Sequence, residues 1–172
     1  MTCLASVAST RWARRFFLLG GLLMLAVPGN LQAALTLQLT FGDPERRWAE
    51  FYPAITSNLK AAAQDWGQYL ESGATLEVDV VFVDDPYFRV RAASVASSPF
   101  TTPDGITVFE QGVAAEIRTG KDPNGSAPDI RLEIGIQYLT TGLWFDADPV
   151  LRSAPVPHGK VDAMSVFLHE LG

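Results

Sequence analysis

The sequence predicts a mixed α/β domain preceded by an export leader, and three observations carry that expectation. Apolar residues recur with a period of two at 35–41, 75–83 and 129–136, and at spacings of three and four over 53–70 and from 162 onward. The residues before position 35 contain basic and apolar side chains and no acidic ones. A period of two marks a strand with one buried face, and spacings of three and four mark a helix with one buried stripe.

The leader comes first. Arg11, Arg14 and Arg15 precede a 12-residue apolar stretch at 16–27, which Pro28, Gly29 and Asn30 break. Leu31, Gln32, Ala33 and Ala34 then supply small residues for a signal peptidase, so residues 1–33 read as a signal peptide, with cleavage after Ala33 or Ala34. The stretch is shorter than the roughly 20 residues a bilayer-spanning helix needs, so no stable membrane span is expected once the leader is removed. The Arg14-Arg15 pair followed by Phe16, Phe17 and Leu18 also fits the twin-arginine export pattern. The expected location is secreted or periplasmic.

Three of the 13 basic residues and none of the 19 acidic ones lie in the leader, so the processed chain has ten basic residues against 19 acidic, a net charge of −9. That charge argues against nucleic acid and against an anionic membrane surface as partners. The single cysteine, Cys3, leaves with the leader, and no disulfide can form. The domain must be held by its core and by any metal it binds.

Leu35, Leu37, Leu39 and Phe41 alternate with Thr36, Gln38 and Thr40 to give the first strand, which Gly42, Asp43 and Pro44 end. Ile55, Leu59, Ala62, Trp66 and Tyr69 define the buried stripe of a helix over 53–70, closed by Ser72 and Gly73. In the strand at 75–83, Leu76, Val78 and Val80 lie on one face and Glu77 and Asp79 on the other. Further strand signals lie at 88–95, 106–109 and 113–117, and Ser97-Ser98-Pro99 and Thr102-Pro103-Asp104-Gly105 read as surface turns. A loop over 121–126 leads into the strand at 129–136, and a short strand is expected within 142–145. Pro149, Pro155, Pro157 and Gly159 keep the following stretch irregular, and Asp162 reads as the N-cap of a last helix.

That last helix carries the chemistry. Met164, Phe167, Leu168 and Leu171 form its apolar stripe, while Asp162, Ser165 and His169 lie on another face, with Glu170 next to the histidine. His169-Glu170-Leu171-Gly172 is the opening of H-E-x-x-H, in which two histidines one turn apart bind one zinc ion and the glutamate acts on a metal-activated water. The second histidine would directly follow Gly172, where the chain ends. Residues 34–172 are therefore expected to be the amino-terminal part of a catalytic domain, inactive on its own, because one imidazole cannot make a three-ligand site.

The segment 161–172 resembles the active-site helix of metzincin-type zinc metallopeptidases. Ala127-Pro128-Asp129-Ile130 and the alternating residues after it are similar to the strand that precedes this helix in matrixin-like members, and the helix at 53–70 is similar to their first helix. The resemblance implies a metzincin-like catalytic domain: a twisted mixed sheet, one helix packed on it, and an active-site helix. It implies a Zn2+-dependent endopeptidase, a hydrolase of peptide or protein substrates, with His169 as a zinc ligand and Glu170 as general base.

Other candidates have plainer readings. His158, between Pro157 and Gly159, reads as an exposed loop histidine. Asp122, Asn124, Ser126 and Glu133 coincide with positions of a calcium-binding EF-hand, but Ala127 stands where the glycine is required and a strand follows, so a turn is expected. Asp146 and Asp148 read as turn residues, and Trp48, Trp66 and Trp144 as core or cleft wall. The rival function is a non-catalytic exported β-rich adhesion or carbohydrate-binding module, supported by the alternating strands and the tryptophans. A histidine directly after Gly172 would decide between the two.

Overall fold

A computed structural model describes residues 35–70, 72–95 and 97–172 of the chain. The expected leader and its cleavage point lie outside the described residues. Strand β1 (Thr36–Gly42), helix α1 (Tyr52–Gly67) and strand β2 (Thr75–Val83) form a β-α-β unit in which β1 and β2 pair in parallel. Strand β3 (Val90–Ser94) comes next in sequence, but it pairs antiparallel with the later β6 (Ile130–Gly135), which lies parallel beside β2. The sheet order is β1-β2-β6-β3, so β3 is an antiparallel edge on an otherwise parallel sheet. The protein is thus a mixed α/β fold, with no described helix long and apolar enough to cross a membrane.

The alternation seen in the sequence becomes the core. Leu76, Val78 and Val80 of β2 and Ile130, Leu132 and Ile134 of β6 are buried against Ile55, Leu59 and Ala62 of α1. Each large apolar side chain withdrawn from water in this way contributes about 1.5–3 kcal/mol. Helix α1 stops at Gly67, so Tyr69, expected on its buried stripe, lies beyond the last turn and is 80% exposed.

Two expectations are corrected between β3 and β6. Residues Ser97–Thr101 form strand β4, paired antiparallel with β5 (Thr107–Gln111), where the Ser-Ser-Pro sequence suggested a turn. Pro99 is tolerated because a two-stranded ribbon has a free edge on each strand, so no ladder bond need be lost. Segment 113–117, read as a strand, lies instead within helix α2 (Gly112–Thr119). Val113, Ala115 and Ile117 satisfy a period of two, but Gly112, Ala115 and Glu116 are the buried positions, a helical spacing. A run this short fits both periods. The stop signal is Gly120, at φ +67°, whose N–H bonds the Glu116 carbonyl at 2.7 Å.

Two close contacts position the ends of this frame. At the turn after β1, Asp43 Oδ1 accepts from Arg47 N at 3.1 Å, and Oδ2 accepts from Trp48 N and the Tyr52 hydroxyl, both at 2.8 Å. Tyr52 stacks on Phe41 with ring centroids 3.9 Å apart, so the carboxylate ties the turn to the start of α1. At the other edge, Gly135 donates its N–H to Arg89 O at 2.7 Å, and a Cβ there would overlap the Phe88 carbonyl oxygen and lie 2.8 Å from its carbon. Only glycine lets the chain entering β3 cross so close to the end of β6.

Burial alone would raise the Asp43 carboxyl pKa, but the donors Trp48 N–H, Tyr52 hydroxyl and Arg47 N–H outweigh it and hold the pKa below the ordinary value of 3.8. A lowered folded pKa contributes stability that is complete above the unfolded value and disappears as pH falls through the folded one. The Asp43→Asn variant should melt below the wild type at pH 7, and the gap should close as pH falls below about 4, measured by thermal unfolding across pH. Gly135→Ala should destabilise by roughly 1–3 kcal/mol or more, with faster hydrogen exchange along β3 than in the wild type. Unchanged exchange in β3 would show that the crossing is not a constraint.

Candidate functional site

Helix α3 (Ala163–Leu171) is fixed at its start, its middle and its end. Asp162 is its N-cap, with Oδ2 accepting from Ser165 N at 2.9 Å and from the Ser165 hydroxyl at 2.5 Å. Asp162 is also in a short strand, β8 (Val161–Asp162), paired with β7 (Leu143–Trp144), and Lys160 Nζ donates to Thr141 O at 2.6 Å beside it. In the middle, Met164 and Phe167 are fully buried, and Phe167 meets Phe145 with ring centroids 6.4 Å apart.

At the end of the helix, Trp66 Nε1 of α1 donates to Leu168 O at 2.9 Å. A Cβ at Gly172 would overlap the Trp66 indole. Gly172 thus lets the end of α3 lie close against a side chain of α1. The apolar stripe splits accordingly: Met164 and Phe167 are buried, and Leu168 and Leu171 are half-buried.

His169 is exposed and Glu170 half-buried, and both line a cleft of about 360 Å³. The rest of the wall comes from Arg89 and Val90 at the start of β3, Tyr138, and Val161, Ser165 and Val166. Tyr138 opens a π-helical turn (Tyr138–Gly142) in which a Cβ at Gly142 would overlap its ring, and the Arg89 guanidinium lies 6.0 Å from that ring's centre. Glu170 reaches across to the sheet edge, where its Oε2 accepts from Ala92 N at 2.7 Å. That carboxylate satisfies an amide of β3 that the ladder to β6 does not use.

The two residues singled out by the sequence thus lie side by side at one cleft, facing the antiparallel edge strand. The other candidates stay apart from it. His158 is exposed at a turn. Asp122 Oδ1 accepts from Asn124 N at 2.8 Å and Gly125 N at 2.7 Å, which is turn chemistry, and Asp146 Oδ1 accepts from Asp148 N at 2.9 Å in the same way. Trp48 packs near Phe82, and Trp48, Trp66 and Trp144 are all half-buried.

Among the described residues, the side chains close enough to share a metal ion are Glu77, Glu116 and Asp129, a set that does not include His169. Sequence reading did not single out this set, because its members are far apart in the chain and Glu116 was placed on a strand. Its only sequence signal is an acidic residue inside each of two apolar segments, with a third just before a strand. No known protein family, curated protein or solved structure matches the chain.

Proposed function

We propose that this chain carries the amino-terminal part of an exported, zinc-dependent endopeptidase of metzincin-like fold, with His169 as a zinc ligand and Glu170 as general base. The observation that carries the reading is the pairing of His169 and Glu170 on one turn of α3, at a cleft whose far wall is the edge strand β3. An exposed imidazole suits zinc, and a catalytic zinc takes three protein ligands, so the other two would come from residues following Gly172. Zinc, when bound, supplies Lewis acidity that polarises a carbonyl and acidifies a water.

The chain's own residues do the rest. His169 contributes one donor from a helix fixed at both ends, which limits how far the imidazole can wander. Ala92 N–H holds Oε2 of Glu170, leaving the other carboxylate oxygen to take a proton and return it to the leaving amine. Strand β3 has one ladder partner in its sheet, so the part of its outer edge at Val90, beside the Ala92 amide that Glu170 holds, can pair with an extended peptide lying along the cleft. The tryptophans that suggested a carbohydrate-binding module, Trp48, Trp66 and Trp144, are half-buried.

In a chain continuing past Gly172, His169→Ala should lower zinc content, because it removes a coordinate bond. Glu170→Gln should keep zinc and lose on the order of 10²–10⁴-fold in peptide hydrolysis, because an amide cannot take the proton. The glutamine carbonyl can still accept from Ala92 N, so this variant should melt close to the wild type. Glu170→Ala, which leaves that amide without a partner, should lose about 1–3 kcal/mol. Metal analysis, a casein assay and thermal unfolding of purified variants test all three. Near-normal turnover by Glu170→Gln would end the proposal.

A further inference from the structure

Away from the cleft, three acidic side chains meet. Glu77 is on the face of β2 opposite Leu76 and Val78, Asp129 immediately precedes β6, and Glu116 is on α2. A carboxylate oxygen of each lies within 4.8 Å of those of the other two. Asp129 is fully buried and Glu116 is 4% exposed, while Glu77 is half-buried. Glu77 N donates to Asp129 Oδ2 at 2.8 Å, but Glu77 Oε2, Glu116 Oε2 and Asp129 Oδ1 are buried with no hydrogen-bond donor.

Among the described residues, no ion pair reaches these three carboxylates. Besides the three carboxylates, the charged group that acts on Glu77 and Glu116 is Asp122, also acidic. Three unpaired carboxylates withdrawn from water are costly, and positive charge must come from protons or from a cation. Burial and the neighbouring acids push the Glu116 carboxyl up to about 7 and raise that of Glu77, which is how the cluster responds when protons alone are available.

We propose that Glu77, Glu116 and Asp129 form a structural site for one calcium ion, which clamps α2 to β2 and to the start of β6. The donor set is entirely oxygen and entirely anionic, which suits a hard divalent cation better than zinc, whose structural sites are built from cysteine and histidine. Calcium takes oxygen ligands at roughly 2.3–2.6 Å, so two of them on one ion stand no more than about 5 Å apart, a span the three carboxylates satisfy. The orphaned oxygens of the two most buried residues are the second sign of a ligand, since buried acceptors without donors are rare in folded proteins. This site shares no residue with the zinc proposal and stands or falls separately.

The test uses the 172-residue chain, stripped with a chelator and titrated with calcium chloride at pH 7.5, followed by calorimetry and thermal unfolding. One calcium per chain is expected, and at a concentration 100-fold above Kd the melting temperature should rise by roughly 5–10 °C. Glu116→Gln should bind at least about tenfold more weakly, while its metal-free form melts at or above the wild type because one buried charge is gone. That second measurement separates a lost ligand from a failure to fold. His169→Ala should keep the full calcium response, so failure of the zinc reading would leave this result intact. No response of the wild type up to about 10 mM calcium, beyond the 10⁻⁴–10⁻³ M range of weak sites, would overturn the proposal. An equal response in Glu116→Gln would also overturn it.

Discussion

The placement of α3 depends first on Phe167. Its ring is completely buried where α1, α3 and the sheet share a core, with Met164 one turn away and Phe145 alongside. Rotating the helix about its axis would pull that ring into water, a loss of the order of 1.5–3 kcal/mol for one side chain. The helix therefore has one acceptable orientation, and His169, two residues on, is left on the open side. The apolar stripe decides where the polar residues go, and the chemistry at the cleft follows from it.

The other wall of the cleft depends on a glycine. The chain must cross the end of β6 to enter β3 antiparallel, and Gly135 lets the Phe88–Arg89 backbone pass within hydrogen-bonding distance. That crossing puts Val90 at the cleft and Ala92 opposite Glu170. Trp66 provides the matching restraint from α1, with its indole N–H on Leu168 O and its ring against Gly172. Sheet edge and helix are thus held against each other by the Glu170 carboxylate on the Ala92 amide and, from α1, by one aromatic side chain, with no ion pair between them among the described residues.

Electrostatic strain is concentrated elsewhere. The surface ion pairs, such as Arg91 with Glu133 and Arg118 with Glu110, join an exposed arginine to a half-buried glutamate and contribute modestly. The buried acids differ from them and from one another. Asp43 has enough donors around it to remain charged, whereas Glu77, Glu116 and Asp129 have few, the Glu77 amide on Asp129 and the Thr75 amide on Glu116, and crowd one another. One cluster stabilises its turn as an anion, and the other requires a positive charge. The difference lies in how many N–H and O–H groups point at each carboxylate.

By itself the sequence determined the strands at 75–83 and 129–136, the helix containing Ile55, Leu59 and Ala62, the Asp162 cap, and the His169-Glu170 pair on an amphipathic helix. These are local properties, since a repeat of two or three-to-four over many residues has one physical solution. Tertiary structure decided the rest. Segment 113–117 was too short for its period to choose between strand and helix, and packing of Ala115 and Glu116 settled it. Ser97-Ser98-Pro99 became a strand because β5 was there to pair with it. The cleft and the acidic cluster both join residues from opposite parts of the chain, Ala92 with Glu170 and Glu77 with Asp129. No local pattern encodes such meetings, because they follow from β3 crossing to the far edge of the sheet and from the parallel register of β2 with β6.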